Sequence, residues 1–357
     1  MFLQIAVIFC SLIAAPSISR SCNFNRIKLV PTLKSNRPQR QVCVQPRCDI
    51  ARRQVLSWGL SLISGAVGKD TQGKTTYLSP SEGGEDVVVY ALDSGLNNGL
   101  GKFKHRVRVE DVSGAEVGRR FFDHYGHEHG SYVAQIIGSE EIGVAPNAEV
   151  VVVKIFNGQY ISMQNVYDGL KFVERDIRLH GKKAVINMSI GFDLSFCKDP
   201  TQVHIRDEEK VQRLMKRLID QGVIIVKAAG NAHADAISDP LNRVPGVIVV
   251  GAINEENEIE MYSNNGKLVN MFAPGRIHKY KQNMWSFVET DEEIMGTSFA
   301  APFVAGVAAL YLSAGIHNVH DALFESAHKE MVKSGRLSVL RGAVNRIVNS
   351  IPMDYVK

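Results

Sequence analysis

The sequence predicts an α/β fold, a doubly wound, mostly parallel sheet with helices on both faces. Two observations predict it. Val87–Leu92, Val150–Phe156, Ala184–Ile190, Val223–Ala229 and Val247–Ala252 are short, nearly continuous apolar runs rich in β-branched residues. Runs without polar alternation suit parallel strands buried on both faces. Helical patterns at His129–Ile137, Met163–Leu179 and Asp207–Ile219 fall between them. Strands that alternate with helices wind such a sheet, and chemistry gathers beyond the carboxyl ends of its strands.

Residues 2–15 are an uncharged, mostly apolar stretch, closed by Pro16-Ser17-Ile18-Ser19. The stretch is short for a membrane span, and small residues at Ser17 and Ser19 suit signal-peptidase cleavage before Arg20. Residues 1–19 are therefore expected to be a secretory signal peptide. That makes the protein secreted or held at the cell surface, with no membrane segment after cleavage. Residues 20–53 carry nine Lys/Arg against one acid, Asp49, and are broken by Pro31, Pro38 and Pro46. They are expected to form a separate basic segment. Arg52-Arg53 offers a dibasic cleavage point, and a short propeptide, a solvated run or a polyanion-binding tail all fit.

Residues 54–357 are expected to form one folded domain, without internal repeats. The whole chain carries a net +4, so an N-terminal excess of +8 leaves this body at −4. A slightly acidic body argues against nucleic acid as a partner. Of the five cysteines, Cys10 leaves with the signal. Cys22, Cys43, Cys48 and Cys197 allow three pairings in an oxidising compartment, and no spacing resembles a zinc site.

The last helical pattern, Phe303–Leu312, has no charge and must be buried. It follows Gly296-Thr297-Ser298-Phe299-Ala300-Ala301-Pro302. Thr297 or Ser298 can cap it, and Pro302 suits a first turn that needs no amide donor. A hydroxyl held at the positive end of a buried helix suits a nucleophile better than packing alone. Such a serine needs a base, and the base an orienting acid. Asp93 follows a strand directly, in Asp93-Ser94-Gly95. His129 opens a helix, in His129-Gly130-Ser131. Asn231 ends a strand, in Ala228-Ala229-Gly230-Asn231. Together Ser298, His129, Asp93 and Asn231 supply a nucleophile, a base, an orienting acid and an oxyanion donor. A metal reading of His124, His127 and His129 with Glu128 or Asp123 matches no usual zinc spacing.

With these motifs in this order, the chain resembles the subtilisin-like serine proteases, or subtilases, and among them the proteinase K-like branch. Asn187-Met188-Ser189-Ile190-Gly191, Ala234-Asp235-Ala236, Phe272-Ala273-Pro274-Gly275 and Trp58-Gly59-Leu60 carry the likeness further, from about Trp58 to about Leu312. The resemblance implies a serine endopeptidase with catalytic Asp93, His129 and Ser298, and Asn231 in the oxyanion hole. Ser189, Ile190 and Gly191 would pair with the backbone of a protein or peptide substrate. It implies a monomer, often made as a zymogen, with no cofactor required for the chemistry. A structural calcium would use the carbonyls of Pro245 and Val247 and a carboxylate, but Asn270 stands in the carboxylate's place and brings no charge.

Several residues depart from the family pattern. Ser131-Tyr132 replaces Thr-His, Phe299 and Phe303 replace Met and His, and Phe192 replaces a glycine. Lys227 interrupts a strand expected to be buried, and needs a carboxylate or a route to water. Asn187-Met188-Ser189 matches a glycosylation pattern but lies on a predicted core strand. The competing reading is a non-catalytic subtilase scaffold acting as a cell-surface binding protein. A different α/β esterase would want Gly-x-Ser-x-Gly, which Thr297-Ser298-Phe299 does not give.

Overall fold

Each of the five apolar runs is a strand. In chain order the elements are β1 (Ile50–Val55), α1 (Trp58–Ile63), β2 (Thr75–Pro80), β3 (Val87–Asp93), β4 (Val107–Asp111), α2 (His129–Gly138), β5 (Glu149–Lys154), α3 (Met163–His180), β6 (Lys183–Met188), α4 (Ile205–Asp220), β7 (Ile224–Ala228), β8 (Ile248–Ile253), β9 (Met271–Pro274), β10 (Arg276–Gln282), β11 (Phe287–Met295), α5 (Thr297–Ser313), α6 (Val319–Ser326), β12 (His328–Lys329) and β13 (Arg346–Ile347). The structure is a computed structural model. It describes residues 49–55, 57–65, 75–97, 103, 107–114, 128–140, 142–158, 161–192, 205–282, 287–335 and 340–355. The expected signal peptide, most of the basic segment, all five cysteines, Asp123, His124 and His127 lie outside the described residues.

Nine strands form one sheet in the order β12-β13-β9-β8-β7-β6-β3-β5-β4. All pairs are parallel except β12 with β13. The pleat sorts its side chains into two apolar layers. Val87, Val89 and Ala91 of β3 join one layer with α2 and α5. Val88, Tyr90 and Leu92 join the other with α3 and α4. Period-two alternation therefore assigns Asp93 to the α2/α5 side. The chain leaves β3 for β4 and then β5 on one side and returns as β6 on the other, so the direction of winding reverses at β3. Asp93 ends that strand, where a doubly wound sheet opens its crevice.

β1 pairs antiparallel with β2 from Ile50↔Pro80 to Val55↔Thr75. The expected boundary after Arg53 thus falls inside a paired strand. Arg52 is exposed, but Arg53 is drawn inward. Its guanidinium donates to the Glu140 and Gly143 carbonyls at 3.3 and 2.5 Å, and sits 4.8 Å from the centre of the buried Tyr77 ring. The dibasic bond thus lies within a paired strand, with its second arginine turned inward.

A charged network ties α3 to the other edge of the main sheet. Tyr90 donates to Asp176 at 2.7 Å, and Arg108 bonds both Asp176 and Glu149. Lys182 also reaches Glu149 at 2.8 Å. Burial pushes the Asp176 carboxyl up, but the bonds from Tyr90 and Arg108 outweigh it and hold it below its ordinary value. Glu149 is held low in the same way by Lys182 and Arg108. A carboxylate depressed in the folded state adds stability above its unfolded pKa and loses it as pH falls through the folded one. Stability should therefore hold from neutral pH to about pH 5 and fall below it. Asp176→Asn should cost about 1–3 kcal/mol at neutral pH, and the two melting curves should converge on acidification.

Candidate active site

Two glycines allow the first contact. A Cβ on Gly130 would lie 2.3 Å from the Gly95 carbonyl oxygen, so only glycine lets the start of α2 press against the turn after β3. At that distance the Gly130 N–H donates to Ser94 Oγ at 3.0 Å. His129, one residue earlier, brings Nδ1 to 2.7 Å from Asp93 Oδ1. Asp93 is fully buried and His129 4% exposed. The same carboxylate oxygen accepts the Ser94 N–H at 2.7 Å, and Lys154, which pairs with Asp93 across the sheet, donates to the Ser94 carbonyl at 2.7 Å. An imidazole whose Nδ1–H is bound to a carboxylate carries its lone pair on Nε2.

The helix that His129 opens starts under strain. Glu128 has φ 55°, a left-handed conformation that costs a residue with a side chain about 1–3 kcal/mol. Its carboxylate is used in compensation. Oε1 accepts from Asn97 at 2.8 Å and Oε2 from the Tyr132 hydroxyl at 2.9 Å. Ser131 Oγ accepts the Asn97 N–H at 2.7 Å. Ser131 and Tyr132, the departures noted in sequence, thus pin the loop after Asp93 to α2.

α5 carries the serine. Apart from Ser298 and Ser313 its residues are buried, which fits a helix with no charged side chain. It begins earlier than expected. Gly296 is the N-cap, Thr297 is already helical, neither hydroxyl caps the helix, and Pro302 lies inside it. Thr297 is held by Asn231 instead: Asn231 Oδ1 accepts its N–H at 2.9 Å and its hydroxyl at 2.8 Å. Pro302 lacks the N–H that would bond the Ser298 carbonyl four residues back. That carbonyl accepts Ser189 Oγ at 2.6 Å, while Ser298 Oγ donates to the Ser189 carbonyl at 3.1 Å. The next residue, Phe299, holds its ring 5.3 Å from the His129 imidazole, tilted by 53°.

Asn231 sits on a loop shaped by Asn264, which sequence reasoning missed. Asn264 is buried, accepts from the Ala232 and Ala234 N–H groups at 2.9 Å and donates to the Ala229 carbonyl at 3.1 Å. Gly230 has φ 106°, and a Cβ there would meet Asn264 Nδ2 at 2.4 Å. With Oδ1 engaged by Thr297, Asn231 keeps its amide nitrogen as a donor. Asn187 is fully buried and donates to Ser189 Oγ at 2.8 Å, which is no place for a glycan. The structure therefore brings Asp93, His129, Asn231, Ser298 and the start of Ser189–Gly191 into one contact network.

A family model described as the subtilase family matches residues 84–334. The chain belongs to the subtilase family. It is 31% identical to alkaline protease 1 of Emericella nidulans over 81% of its own length and 66% of that relative's. It thus spans just under two thirds of this relative. It is 30% identical to proteinase T of Parengyodontium album, over 80% of this chain and 90% of that one. Among solved structures, a cold-adapted subtilisin-like serine proteinase superposes with a TM-score of 0.61 at 27% identity, over 83% of this chain and 98% of that chain. The parallel sheet with helices on both faces is the subtilisin-like fold.

The subtilase calcium position carries an amide in place of a carboxylate here. Asn270 Oδ1 accepts the Val249 N–H at 2.8 Å. With Pro245 and Val247 offering only carbonyls, the donor set is neutral and its one side-chain oxygen is engaged. Gly130→Ala should destabilise the domain by about 1–3 kcal/mol through overpacking against Gly95. It should also part His129 from Asp93, read as loss of the hydrogen-bonded imidazole N–H resonance in proton NMR.

Proposed function

We propose that this subtilase is a serine endopeptidase that hydrolyses peptide bonds in protein or peptide substrates. The buried His129–Asp93 pair carries the reading, with Phe299 bringing the start of α5 against the imidazole. Asp93 holds the Nδ1–H, so Nε2 can act as the base. The Ser298 hydroxyl turns from the Ser189 carbonyl toward Nε2 and attacks the substrate carbonyl carbon as its proton passes to His129. The oxyanion takes the Asn231 amide and the Ser298 N–H, which lies in the first turn of α5 and has no acceptor within the helix. The imidazolium then gives its proton to the leaving amine. Water repeats the sequence on the acyl-enzyme. Ser189–Gly191 binds the substrate main chain by strand addition. No step draws on a metal or cofactor.

The chain is delivered through the signal peptide, acts as a secreted or surface monomer and loses part of its basic segment as a short propeptide. Because β1 is part of the fold, processing removes residues upstream of it. N-terminal sequencing of the mature protein should give a start at or before Ile50. A start at Gln54 would contradict this.

A fluorophosphonate should label the wild type and leave Ser298→Ala unlabelled. A folded, unlabelled wild type would favour the non-catalytic scaffold. Asn231→Ala should keep the label but lower turnover by about 10²–10³-fold, a magnitude taken from subtilisin itself rather than from this geometry.

A further inference from the structure

Lys227 is fully buried in β7. Its neighbours in the pleat, Ile225 and Ala229, face the α3/α4 layer, which places Lys227 on that side of the sheet. An ammonium there must satisfy all its donors. Lys227 Nζ donates to Asp239 Oδ2 at 2.6 Å, to the Ile190 carbonyl at 3.1 Å and to the Ala228 carbonyl at 3.4 Å. Asp239 is 2% exposed. Its Oδ2 also accepts the Phe192 N–H at 2.8 Å, and its Oδ1 accepts the Leu241 N–H at 2.9 Å, which starts the short 3₁₀ turn Pro240–Arg243.

The two charges therefore grip one segment at two points. The lysine holds the carbonyl of Ile190, and the aspartate holds the N–H of Phe192. In extended chain the carbonyl of one residue and the N–H two residues on point the same way. The pair thus occupies one side of Ile190–Phe192. Ser189 and Gly191 are left to present their main-chain groups on the other side, where Ser298 Oγ already meets the Ser189 carbonyl. Through Ala228 the same lysine touches the strand that leads into Asn231.

We propose that the buried Lys227–Asp239 pair is a positioning device for substrate recognition. It fixes Ser189–Phe192 so that Gly191 can pair with the main chain of an extended peptide. The inference rests on the endopeptidase reading. A buried ion pair is seldom a net gain in stability over an apolar pair of the same shape. What it gives here is direction: a fixed donor and a fixed acceptor for one side of a segment whose other side must stay open.

Lys227→Met, the shape-conserving Asp239→Asn and the double variant test it, each checked for folding by thermal melting. Two readouts separate the chemistry from the strand. A small fluorophosphonate reads Asp93, His129 and Ser298 without needing Gly191. A series of peptide amides with one to four residues before the scissile bond reads the strand through KM and kcat. Labelling should stay within about twofold of wild type. The gain in kcat/KM on lengthening the peptide should shrink by about 10–10²-fold, the scale expected when a positioning contact is lost. Full length dependence in a folded double variant overturns the inference. So does a parallel loss of labelling and peptide cleavage, or failure of all three variants to fold, because either assigns the pair to general stability. A wild type that neither labels nor cleaves any peptide sinks the endopeptidase reading, and this inference with it.

Discussion

A helix with no charged side chain can be stable only inside the protein, and α5 is that helix. Its burial between the sheet and α2 fixes one end of three contacts in the candidate site. Thr297 holds Asn231, the Ser298 carbonyl holds Ser189, and Phe299 lies against His129. Fully burying a Val, Leu or Phe side chain contributes about 1.5–3 kcal/mol, and α5 buries several. The serine is thus carried on one of the most rigidly held elements of the fold. Its position is set by packing along the whole helix rather than by its own loop.

The start of a buried helix leaves N–H groups without partners, Pro302 frees a carbonyl there as well, and this site is built from both. The Thr297 N–H goes to Asn231, which orients an amide that would otherwise rotate. Pro302 removes the donor for the Ser298 carbonyl, and Ser189 takes its place. A backbone requirement at one helix end thereby links α5 to the segment after β6 and to the loop after β7. Replacing such links by apolar contacts would keep the helix buried and lose the alignment.

The buried charges follow the same economy. Asp93 and His129 meet on the α2/α5 side of the sheet, and Lys227 and Asp239 meet on the other. Both pairs lie at the carboxyl ends of strands, and both engage main-chain groups of the crevice between β3, β6 and β7. Glu128 belongs with them, because its strained backbone and its bonds to Asn97 and Tyr132 lock the loop that follows Asp93.

The sequence by itself determined five strands of the central sheet and the helices between them, and it pointed to four polar groups at element ends. Continuous apolar runs and charge-free helices have few alternatives to burial, and Asp93, His129, Asn231 and Ser298 each sit beside small residues at element ends. β1, β2, β4 and β9 to β13 were not legible, because such short or edge strands depend on their partners more than on their own composition. The start of α5 was misjudged because Asn231, distant in sequence, satisfies its first amide. Only the tertiary structure decided the partner of Lys227, the direction of the Ser298 hydroxyl and the role of Asn264. Each depends on polar groups from separate segments meeting within hydrogen-bond distance, and local pattern carries no record of such a meeting.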